Sequence, residues 1–370
     1  MSRLKVLVIF GTRPEVIKLA PIIQILKGDP NFSVKIVNTA QHREMVDQLL
    51  SIFEIRPDVD LNIMRSSQSL GYIPTAAINR LSELINDLNP NYVFVQGDTT
   101  TAMAAALVAF YHKIPLGHVE AGLRTYDRYS PFPEEMNRRI IGDLAYHHFA
   151  PTEKAVQALL AEGIEKDRIF LTGNTIVDAL LQLLDSPQVN QIHFDFLDPA
   201  KKLILLTAHR RENWGYKLEN ICRAVKRIAL EFDVEIVYPV HLNPNVRKTV
   251  FRILKNVPNV HLIDPVNYLE LIALLKRSYF VMTDSGGIQE EAPVVGKPVL
   301  VLRDKTERPE GVELGVAKLV GTDENEIYSA AAELLENHHL YKQMATPKSP
   351  YGDGKAAQRI VRIVNDFFNS

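Results

Sequence analysis

The chain has 370 residues, longer than one hydrophobic core normally supports, so two domains are expected. Hydrophobic residues make up 46% and charged ones 23%, with Lys+Arg 42 against Asp+Glu 44. That balance is ordinary for a soluble globular protein and gives no support to a nucleic-acid groove or an anionic membrane partner. The single cysteine, Cys222, excludes an intrachain disulfide and suits a reducing cytoplasm.

Taken in order, the chain opens on an apolar run, Val6 to Phe10, too short for a signal peptide or a membrane span. It reads as a first strand. Further strands are predicted at Val34 to Asn38, Val93 to Val95, Leu116 to Val119 and His147 to Ala150, with helical-period segments between them. A second series follows at Leu203 to Thr207, Val234 to Val240, Val260 to Ile263, Tyr279 to Met282 and Val299 to Leu302. Such alternation is the mark of βαβ units with parallel sheets buried on both faces. The weakly patterned stretch Leu184 to Ala200, with Pro187 and Pro199, is the expected linker. Two Rossmann-like domains are therefore predicted, residues 1–185 and 200–355, with ligands gathered at the carboxyl ends of the strands. No short repeat and no low-complexity tract is present.

Polar motifs fall just where predicted strands end. Gly11-Thr12-Arg13-Pro14-Glu15 follows the first strand, with Pro14 suited to a first helical turn and Lys18 one turn on. Neither GxGxxG nor GxxxxGK[ST] is there, so NAD and ATP are not expected. Gln96-Gly97-Asp98-Thr99 sits past another strand, where Asp98 or Thr99 can cap a helix. Glu120 ends the next strand, and Glu134 stands four residues before Arg138 on a predicted helix. Asp98, Glu120 and Glu134 thus reach one end of one domain within forty residues. Carboxylates brought close raise one another's pKa, which suits acid–base work near neutrality.

In the second domain His209, Arg210 and Arg211 follow the first strand, and His241 ends the next. Among the 11 histidines no HExxH and no close His/Asp spacing appears, and CxxC is absent, so no metal site is expected. His147 and His148 are adjacent on a strand, point to opposite faces, and cannot readily chelate one ion. The most telling stretch is Thr283-Asp284-Ser285-Gly286-Gly287-Ile288-Gln289-Glu290-Glu291. It joins a buried strand to a helix start with free N–H groups for a phosphate, capped by Ser285, with Glu291 placed to accept ribose hydroxyls. Arg308 follows the next strand and adds a cation.

Together GTRPE, TAQHREM, GDTTT, HVEAGLRT, SPFPEEMNR, FAPTE, TGNTIVDAL, HRREN, YPVHLNPNVR, TDSGGIQEEAP, TERPEG and PYGDG resemble, in order and over nearly the whole chain, the non-hydrolysing UDP-N-acetylglucosamine 2-epimerases. The resemblance implies the GT-B architecture, with a C-terminal helix over 356–370 returning to the first domain. It also implies reversible conversion of UDP-GlcNAc to UDP-ManNAc in the cytoplasm, supplying surface polysaccharide precursors. UDP leaves and returns through 2-acetamidoglucal, with neither cofactor nor metal. The catalytic group would be Asp98, Glu120, Glu134 and His209, with base and acid unassigned. Substrate contacts would come from Arg13, Lys18, Arg138, Leu271, Ser285, Gly286, Gly287, Glu291 and Arg308.

Some bacterial members of that family bind a second UDP-GlcNAc as an activator, through positions matching Gln41, His42, Gln68, Arg210, Glu212 and His241. Glu44, Ser67 and the segment 69–74 depart from the pattern, and Pro74 is expected to interrupt a continuing helix. A homodimer is implied as well. Alternatives on the same scaffold are a hydrolysing relative releasing ManNAc and UDP, an epimerase of a modified UDP-sugar, a GT-B glycosyltransferase and a silent UDP-sugar-binding regulator.

Overall fold

A computed structural model of the chain describes residues 3–40, 43–64, 69 and 71–369, and of 43–45 the backbone alone. Two compact units emerge, the first running to Ala179 and resuming at Tyr351, the second spanning Leu180–Pro350. Strands of the first are β1 (Leu4–Phe10), β2 (Phe32–Asn38), β3 (Val59–Asp60), β4 (Tyr92–Gln96), β5 (Leu116–Val119), β6 (His147–Ala150) and β7 (Ile169–Leu171). They form one sheet in the order β3-β2-β1-β4-β5-β6-β7, every pairing parallel. Val6 to Phe10 are buried throughout because helices cover both faces, which is why the sequence shows an unbroken apolar run there.

The second unit holds β8 (Lys202–Thr207), β9 (Val234–Pro239), β10 (Val260–Ile263), β11 (Phe280–Thr283), β12 (Val299–Val301) and β13 (Ala317–Leu319), ordered β10-β9-β8-β11-β12-β13 and again parallel. In each sheet the order reverses once, between β1 and β4 and between β8 and β11. In open parallel sheets such a reversal is where loops diverge and ligands gather at the carboxyl ends of the strands.

Three edge strands, β3, β7 and β13, escaped the sequence reading. Each has only two or three residues and is partly exposed, too short a segment to stand out as a strand. The expected strand at Tyr279 runs one residue later, at Phe280–Thr283. Leu184 to Ala200 is not a free linker: the division falls at Ala179–Leu180, within the helix Thr175–Leu184. This stretch belongs to the second unit, where Leu197 is buried in the core and the Asp198 N–H donates to Glu235 at 2.8 Å. Nor does Pro74 interrupt a helix. It lies in the first turn of Tyr72–Leu88, where a proline forfeits no backbone bond.

The C-terminal helix Ala356–Asn369 packs within the first unit, as expected. Asp178 accepts the N–H groups of Ala356 and Ala357 at 3.2 and 2.9 Å, satisfying two orphan donors of that helix start. At its far end Phe367 stacks edge-on against His147, and Phe368 against Tyr92. No helix among the described residues is long and apolar enough to cross a membrane.

In β5 and β6 lie His118, His147 and His148, whose burial lowers their pKa values to about 4, 4 and 3. Between the unperturbed value near 6.5 and these depressed values, the unfolded chain binds protons that the folded imidazoles refuse. Stability of the first unit should therefore fall as the pH drops from about 6.5 to about 4. Glu15, raised to about 7, and Asp178, also raised by burial, act in the opposite sense but are two carboxyls against three imidazoles. Urea unfolding followed by hydrogen exchange in β5 and β6 should show the decline, and His148→Gln should make its slope shallower.

Candidate active site

At the first reversal the loop after β1 turns into the helix Arg13–Gly28, whose third residue, Glu15, is fully buried. Its carboxylate accepts the N–H groups of Gly11 and Thr12 at 3.0 and 2.8 Å and the hydroxyls of Thr12 and Thr99, each at 2.8 Å. Burial outweighs these bonds and pushes its pKa up to about 7. Glu15 thereby ties the β1 loop to the β4 loop across the reversal. Thr99 also caps Thr100–Tyr111, accepting the Ala102 N–H at 3.0 Å. The capping role therefore falls to Thr99.

Asp98 is thus left for another partner. Its carboxylate pairs with Arg138, whose Nε lies 3.2 Å away, while Asn137 donates to the Asp98 carbonyl at 2.9 Å. Arg138 also reaches Glu135 at 3.2 Å, and both are buried. Glu135 in turn accepts the N–H groups of Thr125 and Tyr126. Glu134 is the first residue of the helix Glu134–Leu144.

Glu120, just past β5, has φ +66°, a left-handed conformation costing a non-glycine residue on the order of 1 kcal/mol. Its carboxylate pairs with buried Lys18, and accepts from Gln96 and from Asn174 Nδ2, the last at 3.0 Å. Lys18, implied as a substrate contact, is thus engaged by a carboxylate inside the protein. Arg13 stands exposed at the helix start. His118 bonds the Gly97 carbonyl through Nε2 at 2.7 Å, which makes that nitrogen the protonated one. The carboxyl raised toward neutrality is Glu15, through burial; Asp98 and Glu120 each face a cation.

At the second reversal His209 follows β8, and Asp284 and Ser285 follow β11. Ser285 occupies the N-cap position of Gly286–Glu291 without a side-chain cap bond, and that helix has only six residues. At Gly286 a Cβ would lie 2.7 Å from the Arg308 guanidinium carbon, so any larger residue there would push that side chain aside. Arg308 bonds Glu290 at 2.8 Å. Glu291 is buried and accepts the Tyr268 hydroxyl at 2.7 Å. One turn further along the Tyr268 helix, Leu271 packs against the core.

Around Arg308 lies a network the sequence reading did not assemble. Arg303 bonds Glu212 at 2.7 Å and Glu307 at 2.6 Å, and Arg210 approaches Glu307 at 3.7 Å. Burial works to raise the pKa of Glu307, but the Arg303 hydrogen bond and the charges of Arg308, Arg303 and Arg210 bring it down to about 2. The Arg303/Glu307 spacing of four was the available signal. His241 stacks on His209 with ring centroids 5.5 Å apart. Gln41, His42, Ser67 and Gln68 lie outside the described residues, as does the side chain of Glu44.

Known proteins share this arrangement. The sequence profile of the UDP-N-acetylglucosamine 2-epimerase family matches residues 24–365. The chain belongs to that family. The UDP-N-acetylglucosamine 2-epimerase of Escherichia coli K12 is 51% identical over 371 residues, covering 98% of this chain and 99% of the relative. Among solved structures of the family, the UDP-GlcNAc 2-epimerase of Neisseria meningitidis bound to UDP-GlcNAc matches with TM-score 0.93 and 49% identity, covering 98% and 100% of the two chains. The Methanocaldococcus jannaschii enzyme in complex with UDP-GlcNAc and UDP gives 0.84 and 37%, covering 98% and 99%. The family membership and the GT-B-type pair of Rossmann-like domains expected from the sequence are both borne out.

Arg138 holds two carboxylates, one of them fully buried, so its loss strands a buried charge. Arg138→Leu should destabilise the first unit by about 3 kcal/mol, the usual cost of breaking a buried pair from one side. Chemical denaturation at pH 7 checks this, and Arg138→Lys should recover only part of the loss because it cannot bridge both partners.

Proposed function

We propose that this epimerase-family chain interconverts UDP-GlcNAc and UDP-ManNAc by eliminating and re-adding UDP. The observation that carries the reading is the Glu120 carboxylate, strained into place beside Gly97 and held by Lys18, Gln96 and Asn174. The UDP-GlcNAc bound to the Neisseria meningitidis relative supports the choice of substrate.

The chemistry balances without an oxidant. A base takes the proton from carbon 2, the C–H electrons form the carbon 1–carbon 2 double bond, and UDP departs with the electron pair of the bond from carbon 1 to oxygen. Return of a proton to the opposite face of carbon 2 of the glucal, with re-addition of the phosphate oxygen at carbon 1, gives the epimer. Two faces need two proton-handling groups, drawn from Asp98, Glu120, Glu134 and His209. Uridine diphosphate is taken by Arg13, Ser285, Gly286, Gly287, Glu291 and Arg308, with Lys18 and Arg138 setting the carboxylates. We place UDP-ManNAc as a precursor for surface polysaccharide and the enzyme as a cytoplasmic homodimer. A second UDP-GlcNAc at Arg210, Glu212 and His241 would act as an activator. Strictly hyperbolic rates, with no acceleration of the reverse reaction by UDP-GlcNAc, would overturn activation.

Proton NMR with UDP-GlcNAc in heavy water tests the reaction. The expected outcome is UDP-ManNAc carrying deuterium at carbon 2; accumulation of free ManNAc and UDP would establish the hydrolysing alternative instead. Asp98→Asn and Glu120→Gln should each lower the exchange rate about a hundredfold or more, the usual contribution of a positioned acid or base.

Gly286→Ala should displace the Arg308 guanidinium and weaken UDP binding about tenfold, the equivalent of one charge-assisted hydrogen bond. Calorimetric titration with UDP measures the loss.

A further inference from the structure

Asp284 is fully buried at the end of β11, and no step above uses it. Its N–H donates to the Thr207 carbonyl at 3.0 Å, carrying the β8–β11 ladder one residue beyond the strand. Its Oδ2 accepts three donors: the N–H groups of His209 and Arg210, both at 2.9 Å, and Asn213 Nδ2 at 3.0 Å. Asn213 is anchored in turn on the Leu302 carbonyl at 3.0 Å. These bonds fix the plane of the carboxylate. Its other oxygen, Oδ1, is buried without a hydrogen bond and lies 3.5 Å from Nδ1 of His209.

The imidazole is confined from other sides too. His241 stacks on its face at an interplanar angle of 8°, with its own Nδ1 accepting the Asn243 N–H at 3.1 Å. Trp214 Nε1 donates to the His209 carbonyl at 3.3 Å, and the Tyr238 hydroxyl to the Ala208 carbonyl at 2.5 Å. A buried carboxylate is costly unless its lone pairs are used. Here one oxygen is consumed by the loop, and the second, without a hydrogen bond among the described residues, faces the imidazole.

We propose that Asp284 is a positioning residue that holds His209 as its Nδ1–H tautomer and leaves Nε2 as the proton-transfer atom. A carboxylate oxygen accepts and never donates, so the nitrogen facing Oδ1 carries the hydrogen. When Nε2 takes a proton, the same carboxylate balances the imidazolium charge. The 3.5 Å separation closes to hydrogen-bond length by a small rotation of the half-exposed ring. This inference rests on His209 handling a proton, as proposed above.

The test is Asp284→Asn in the full-length protein. Its amide oxygen can keep the N–H groups of His209 and Arg210, which puts the NH2 opposite Nδ1 and forces the other tautomer. Nitrogen-15 NMR of the imidazole, assigned against His209→Asn, should report Nδ1–H in the wild type and Nε2–H in the variant. Exchange of the carbon-2 proton of UDP-GlcNAc should fall about a hundredfold or more, with KM little changed, as when a triad aspartate is replaced by asparagine.

An Nε2–H ring in the active wild-type enzyme would overturn the proposal, and so would a variant with unaltered tautomer and rate. The wild-type spectrum decides even if the variant does not fold. An Nδ1–H ring in a wild-type protein that exchanges no carbon-2 proton would instead overturn the functional reading on which the proposal rests.

Discussion

Everything that bears chemistry here depends on one constraint, the reversal of strand order within each parallel sheet. At β1/β4 and again at β8/β11 neighbouring strands send their following helices to opposite faces. The peptide groups at those strand ends lose their ladder partners and must find others. Carboxylates meet the need. Glu15 gathers two N–H groups and two hydroxyls across the first reversal, and Asp284 gathers two N–H groups and a side-chain amide across the second. Each fixes the loop that carries one of the proposed proton-handling groups, Asp98 in one case and His209 in the other.

The electrostatics follow from how each acid is satisfied. Glu15 has only neutral donors and full burial, so its pKa rises to about 7. Glu307 is also substantially buried, but three arginines surround it and its pKa falls to about 2. Glu120 and Asp98 face Lys18 and Arg138. Burial alone therefore does not determine the charge of a group in this protein. The sign of its nearest partner does, because a cation at hydrogen-bond distance in a poorly solvated site outweighs the loss of water.

The sequence revealed the sheets wherever a strand is buried on both faces, since β1, β4 and β8 are then continuous apolar runs. It did not reveal β3, β7 and β13, which are short edges. It placed Asp98, Glu120, His209 and the Ser285 turn at strand ends, but it did not show that Lys18 pairs with Glu120. Tyr268, Asn174, Asn213 and the Arg303–Glu212 bond went unseen. Their partners stand between 23 and 91 residues away in the chain, beyond the reach of any local pattern.

By itself, then, the chain of residues determined that there are two parallel α/β units, which residues end their central strands, and which family they belong to. These properties are local: they follow from two-residue and 3.6-residue periodicity, turn chemistry and motif order. Only the tertiary structure decided which carboxylate meets which cation, that Asp178 caps a helix 178 residues onward, and that Asp284 faces His209. Pairings of that kind are set by the order of strands in a sheet, and strand order brings distant segments together at separations that leave no trace in spacing.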